Sequence, residues 1–321
     1  MGEDLDNIDG RIMHELYVNS RMPLSALAKK MRMSKQRLNY RIQKLHREGS
    51  IKAFITMIDR SRVGYTFDML CYEISPFSES QEKIVFKKLL LLNPSMLFKC
   101  EGKWNLMIGF VIPNVYELAE KQQQCRFLLR GHIVKEYHFL HMRSLRFRMP
   151  QTEEEVREPI FTLGKKTEVL RIDDKDLKIL SALSINARAS YLELSQKLKM
   201  PPETIRYRIK QLEKNKVILG YSISVNPNLY GAHHYRVYVK LNVPNSQALE
   251  TIISSVSAMP SITRMITLVS EYDFCYDAVV SGGAELRKVK EQVAHKFFKY
   301  LVEQEPIRIY EEYRYSHFPP L

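Results

Sequence analysis

Leu5, Ile8, Ile12 and Leu16 recur at the three- and four-residue spacing of one helical face. That spacing predicts a helix opened by Asp6, with Asp9 filling the acidic slot of its first turn. A second, short helix is expected from Pro23, which suits a first helical position, with Leu24, Leu27, Ala28 and Met31 on its apolar side. A turn over 31–33 leads to Ser34, a good N-cap, and to a third helix over 34–47 that points Leu38, Ile42 and Leu45 inward. After Gly49 the apolar run 51–58 reads as a strand leaving the helices.

The pattern then returns. Residues 5–64 align with 172–231 at a constant offset of 167, without a gap and with 15 identities in 60 positions. Chance would supply roughly a quarter of that at ordinary residue frequencies. Asp6, Asp9, Ile12, Leu16, Arg21, Tyr40, Arg41, Ile42 and Leu45 recur as Asp173, Asp176, Ile179, Leu183, Arg188, Tyr207, Arg208, Ile209 and Leu212. The period is too long for a solenoid, so the chain carries duplicated domains.

Between and after these segments the periodicity changes. Strands are expected over 67–75, 96–100, 106–112 and 133–147, with helices over 80–92 and 115–129 and a turn over 102–105. The second half repeats the order, with strands over 235–243, 262–269, 272–280 and 307–317 and helices over 247–259 and 284–299. The order βαββαβ is ferredoxin-like. Its helices cover one sheet face and leave the other needing a partner, so dimeric or pseudo-dimeric packing is expected. The fold class is α+β. Two winged helix-turn-helix domains (1–64 and 171–231) each precede a ferredoxin-like domain (65–149 and 232–321). Residues 150–170, with Glu153, Glu154, Glu155, Glu158 and Gly164, read as an exposed linker.

Composition adds a compartment and a partner. The chain of 321 residues is 45% hydrophobic and 26% charged, which is enough for real cores. The start of the chain shows no signal segment, and the longest aliphatic run, 89–92, is too short to cross a bilayer, so a cytosolic protein is expected. Cys71, Cys100, Cys125 and Cys275 lack paired spacing and read as buried thiols rather than metal ligands. The net charge is +13. Residues 1–64 hold 13 basic against 7 acidic side chains and residues 168–231 hold 11 against 7, whereas residues 232–321 balance at 10 and 10. Such a bias favours a polyanion.

The third helix concentrates that charge. Its outer face carries Lys35, Gln36, Arg37, Asn39, Tyr40, Arg41, Lys44 and Arg47, and no acid lies between Ser34 and Arg47. Arg, Gln and Asn are side chains able to read base edges in a major groove. Gln36, Arg37, Asn39 and Tyr40 are therefore the expected base readers, and Lys35, Arg41, Lys44 and Arg47 the phosphate contacts. In the second copy the counterparts are Thr204, Arg206, Tyr207, Arg208 and Lys210, on a helix whose acids Glu203 and Glu213 dilute the charge. Pro201 replaces the capping Ser34 there, leaving one backbone N–H without a side-chain acceptor. The first copy is expected to bind double-stranded DNA more tightly.

At this point the chain resembles the Lrp/AsnC (feast/famine) family of transcription regulators. The segments 5–12 and 172–179, then Leu27-Ala28, Ser34, Arg41, Leu45 and Gly49-x-Ile51, follow the family's spacing. The turns 101–105 and 270–273 are similar to the family's Gly-x-Tyr-Asp turn. The resemblance implies a DNA-binding domain followed by a domain that senses a small effector, often an amino acid, between paired sensor domains. The effector candidates are then Gly102, Trp104, Asn105, Ser270, Tyr272 and Asp273. Asn105 lacks the acid that would hold an ammonium group, and Ser270 stands where the family has glycine. Usual members carry one unit, so two fused units imply a pseudo-dimer within one chain. Unlike recognition helices would then favour an asymmetric operator with half-sites about one helical turn apart.

Two other readings stay open. Sirohaem decarboxylases also resemble this family and occur as paired units. Their anionic tetrapyrrole would call for clustered His and Arg, for which His233, His234 and Arg236, and more loosely His132, His138 and His141, are the local hints. The third reading is a sensor or interaction protein whose helix-turn-helix units do not bind DNA. No catalytic residue, metal or cofactor is expected from motifs.

Overall fold

The computed structural model describes residues 7–147, 158–164, 168–243 and 245–319. Leu5, Asp6 and the run Glu153, Glu154 and Glu155 lie outside them. The chain forms two compact units. One spans Met1–Val63, Glu168–Gly231 and Tyr315–Leu321; the other spans Gly64–Thr167 and Ala232–Arg314.

The first unit gathers both helical segments. In the first copy they are α1 (Asn7–Val18), α2 (Leu24–Lys30) and α3 (Lys35–Arg47), followed by β1 (Ile51–Ile58). Ile12, Leu16, Leu27, Leu38, Ile42 and Leu45 are buried, as their spacing requires. Ser34 Oγ accepts from the Arg37 backbone N–H at 3.2 Å and fixes the start of α3. The second copy runs α6 (Asp174–Ile185), α7 (Tyr191–Leu198), α8 (Pro202–Lys214) and β7 (Ile218–Val225). Asp173 caps α6 through the Asp176 N–H at 2.9 Å, and Ser190 and Glu193 form a capping box on α7. Pro201 offers α8 no side-chain acceptor. Among the described residues, neither β1 nor β7 pairs with a strand of its own copy. Instead β1 and β7 pair with each other, antiparallel. Ile55 faces Ser222, its own repeat counterpart, with Phe54 opposite Ile223 and Thr56 opposite Tyr221. The wing strand of each copy thus satisfies its N–H and C=O groups on the other copy.

The side-chain contacts obey the same local two-fold. Arg21 Nη1 donates to the Ala187 carbonyl at 2.6 Å, and Arg188 Nη1 donates to the Ser20 carbonyl at 2.7 Å. Ser20 N–H donates to the Tyr221 carbonyl and Ala187 N–H to the Phe54 carbonyl, both at 3.0 Å. Burial and the nearby charge of Arg21 together lower the Arg188 pKa from its ordinary value.

In the second unit, β2 (Thr66–Ile74), α4 (Glu79–Leu91), β3 (Met96–Glu101), β4 (Leu106–Ile112), α5 (Val115–Leu128) and β5 (Ile133–Arg146) form one βαββαβ set. The set β8 (His233–Leu241), α9 (Ser246–Ser257), β9 (Ile262–Val269), β10 (Phe274–Val280), α10 (Gly283–Phe297) and β11 (Leu301–Tyr315) forms the other. Strands run β5-β2-β4-β3 and β11-β8-β10-β9, the ferredoxin-like order in each half. β3 pairs with β11 and β9 with β5, so the two sheets close into one ring of eight strands. Leu70, Tyr72, Leu97 and Ile108 pack under one pair of helices, and Val237, Val239, Phe274 and Tyr276 under the other. Alternate positions, among them Met69, Cys71, Arg236, Tyr238, Cys275 and Asp277, therefore face the inside of the ring.

Two expectations need correction. Part of the linker is a strand, β6 (Phe161–Leu163), which pairs with Ser144, Leu145 and Arg146 of β5 and buries Phe161 and Leu163. Three residues are too few to show a period. The last strand begins at Leu301 rather than near 307. The polar run Glu303, Gln304 and Glu305 hid it, yet these residues pair with Lys240, Val239 and Tyr238.

Candidate nucleic-acid interface

α3 turns Lys35, Gln36, Arg37, Asn39 and Tyr40 to solvent while Leu38 and Ile42 hold it to the core. On α8, Glu203, Arg206, Tyr207 and Lys210 are exposed and Thr204 is half-buried. Tyr40 and Tyr207, repeat counterparts, are 63% and 64% exposed. A large aromatic kept in water at the same place in both copies has no packing reason to be there.

Arg41 and Arg208, both expected to contact DNA, are held by carboxylates of their own copy. Arg41 Nη1 lies 2.7 Å from Asp9 Oδ1, both side chains largely covered. Arg208 Nη1 reaches Asp173 Oδ1 at 2.8 Å and Asp176 Oδ1 at 2.9 Å. Each arginine therefore braces its third helix against its first. A signal existed in the sequence, because Asp9 and Arg41 recur together as Asp176 and Arg208. Lys44 sits 3.8 Å from Glu48 at the end of α3, and Arg47 is exposed. Glu203, one of the acids held to dilute the α8 charge, projects into water beside Arg206 at 3.6 Å.

The turns 101–105 and 270–273 are built differently. Asn105 accepts from the Ile74 N–H at 2.9 Å and donates to the Ile74 carbonyl at 2.8 Å. Asp273 accepts from the Leu241 N–H at 2.7 Å. Ser270 Oγ accepts from the Tyr272 N–H at 3.1 Å and donates to the Tyr272 carbonyl at 2.8 Å. These three side chains hold strand ends and a turn. Gly102 has φ +145°, and a Cβ there would lie 2.6 Å from Ile307 Cδ1. Trp104 and Tyr272 meet through Tyr238, at 4.9 and 5.7 Å between ring centroids, so the structure does bring the two turns together. Lys103, which sequence reasoning passed over, donates to the Tyr272 hydroxyl at 2.9 Å and lies 3.8 Å from Glu303.

The histidine–arginine hints fall on several separate contacts, with His132 Nδ1 at 3.2 Å from Ser75 Oγ and the His141 ring at 4.7 Å from that of Phe67. Arg236 is buried and makes a two-pronged bond to Asp277, at 2.7 and 2.9 Å. Burial alone would raise the Asp277 carboxyl; the Arg236 guanidinium beside it holds it well below the usual carboxylate range. His234 lies 3.4 Å from Asp277, while His233 faces Arg308 at 3.1 Å. His138 sits between Asp68 at 3.7 Å and Glu136 at 3.3 Å. All four cysteines are buried, and burial pushes the Cys125 and Cys275 thiols up to about 12. Among the described residues no helix is long and apolar enough to cross a membrane.

The AsnC-type helix-turn-helix domain model matches twice, at residues 5–46 and 172–213. The leucine-responsive regulatory protein of Haemophilus influenzae is 31% identical over 120 residues, which are 37% of this chain and 72% of that protein. The transcriptional regulator LrpA of Pyrococcus horikoshii is 40% identical over 112 residues, 35% of this chain and 69% of that one. Among solved structures, the siroheme decarboxylase NirDL in co-complex with an iron-uroporphyrin III analogue matches at a TM-score of 0.61 and 14% identity, over 98% of this chain and 94% of that one. That likeness shows a shared tandem fold. With its helix-turn-helix domain present twice and its relatives matched over more than two thirds of their length, the chain belongs to the Lrp/AsnC family.

Proposed function

We propose that the chain is a sequence-specific DNA-binding transcription regulator that carries both of its reading heads in one polypeptide. The observation that carries this reading is the exposed face of α3, where Lys35, Gln36, Arg37, Asn39 and Tyr40 stand in water with no acid among them. Gln36, Arg37, Asn39 and Tyr40 are the base readers in this proposal, and Lys35, Lys44 and Arg47 the phosphate contacts. Arg206, Tyr207, Thr204 and Lys210 form the weaker second head. Arg41 and Arg208 act through the carboxylates they hold, by setting the tilt of each third helix.

A small-molecule effector at the sensor turns near Gly102, Trp104, Asn105, Ser270, Tyr272 and Asp273 is the regulatory arm of the proposal. Asn105 is engaged with the Ile74 backbone through both its carbonyl and its amino group, whereas Asp273 accepts from the Leu241 N–H through Oδ2. Adding amino acids to the DNA complex reads this arm as a shift in affinity, and no shift removes it for amino acids.

Binding of the purified chain to a genomic DNA-fragment library at two salt concentrations tests the reading. Selective enrichment that weakens with salt is the expected result. Failure to enrich, together with a tetrapyrrole absorbance band on the purified protein, would replace the regulator with an enzyme resembling the decarboxylase. Failure to enrich without colour would leave a sensor protein.

A further inference from the structure

The two third helices present different side chains at one equivalent place. Gln36 is the second residue of α3, and Glu203, 167 positions on, is the second residue of α8; both are exposed. We propose that these two residues read different bases at matching positions of the operator, adenine by Gln36 and cytosine by Glu203, and so give the bound DNA a direction. The inference rests on the DNA-binding reading above.

In a helix-turn-helix it is the first turn of the recognition helix that reaches base edges. A carboxamide both donates and accepts, which matches the N6 amino group and N7 of adenine. A carboxylate only accepts. Guanine and thymine offer it acceptors in the major groove, and adenine sets an acceptor beside its donor. Cytosine presents its N4 amino group with no acceptor of its own in the major groove. Glu203 is also surrounded by phosphates when bound, so any base without a donor leaves its charge both repelled and unpaired. An acid on this face therefore lowers general affinity and raises discrimination.

Among the described residues Glu203 is only weakly held. Its one ion pair among them is with Arg206 at 3.6 Å, between side chains 84% (Glu203) and 50% (Arg206) exposed. Exposed pairs of this kind are weak. Both heads belong to one unit, joined by the β1–β7 pair and by the reciprocal bonds of Arg21 and Arg188. A single chain thus presents both unlike readers together.

Selection from a random duplex library with the full chain, compared with Glu203→Gln and Gln36→Glu, tests the inference. The unaltered protein should enrich adenine in one half-site and cytosine at the matching position of the other. Glu203→Gln should put adenine in both, and Gln36→Glu cytosine in both. Each exchange should change relative affinity at that one pair by about 10-fold, the size of one good base contact. Melting curves of the three proteins separate folding from reading. A change in melting temperature with unaltered base preference overturns the inference, because Glu203 then only supports the start of α8. The same base in both half-sites of the unaltered protein overturns it too. Absence of any enriched sequence overturns the DNA-binding reading itself, and this inference with it.

Discussion

In both helix-turn-helix copies, aspartates flanking or opening the first helix hold an arginine of the third: Asp9 with Arg41, and Asp173 and Asp176 with Arg208. In both copies an arginine after the first helix, Arg21 or Arg188, donates to a carbonyl of the other copy. The first turn of the third helix is shared by neither. It reads Lys35-Gln36-Arg37 on α3 and Pro202-Glu203-Thr204 on α8. The recurring aspartates and arginines build the frame, while the residues that differ in the first turn stand on the outer face beside the recurring Tyr40 and Tyr207. The two ferredoxin-like halves differ on the inside instead. Where β8 and β10 pair Arg236 with Asp277, β2 and β4 pair Met69 with Gly109. Gly109 leaves room for Phe67, whose ring would lie 2.3 Å from a Cβ at that position.

The sharpest way to break the sensor comparison is Asp277→Ala. Removing one partner strands the Arg236 charge in the ring and should cost about 3–5 kcal/mol in urea unfolding. Adding Arg236→Met, which imitates Met69, should recover most of the loss. Failure of the second change to rescue would mean that the pair positions the strands and does not merely balance its own charge.

The head comparison is sharpened by Arg37→Ala. It should weaken binding to the enriched sequence by about 1–3 kcal/mol and binding to unrelated DNA by much less. Equal losses on both would move Arg37 to a phosphate. A smaller effect tests the caps. Ser34→Ala should destabilise by about 1 kcal/mol, because it removes the acceptor for the Arg37 N–H. Pro201→Ala removes no such bond and should leave α8 nearly as stable.

The smallest effect separates the sensor halves by pH. His138 is raised above its ordinary value, first by Asp68 and against its own burial, with Glu136 adding to the rise. Its counterpart in the second half, opposite Val237 as His138 is opposite Leu70, is Pro306, which does not titrate. A raised folded-state pKa stabilises fully below the unfolded value of about 6.5 and loses that contribution as pH rises through the folded value. His138→Gln should flatten the stability profile in that window. An unchanged profile would assign the pH dependence elsewhere.

Much of this was legible in the chain. The offset of 167 foretold two copies, the apolar spacing placed α1, α2 and α3, and the βαββαβ order emerged from alternation alone. The pairing of β1 with β7 was not visible, because an apolar run declares a strand without declaring its partner. Arg41 read as one more cation on a basic helix, since Asp9 meets it only when the helices cross. Arg236 drew notice beside two histidines, while the acid that claims it lies on another strand. At the sensor turns, Asn105 and Asp273 looked like ligand groups, but such residues equally serve to bind neighbouring backbone, which only the fold could show.

In the proposed function one chain reads DNA with two unlike heads. Its most direct test is equilibrium binding of the full chain to its enriched fragment, and to the same fragment with either half-site scrambled. Both changes should weaken binding, and scrambling the half-site read by α3 should weaken it more. Unchanged affinity after either scramble would show that the chain does not read DNA with both heads.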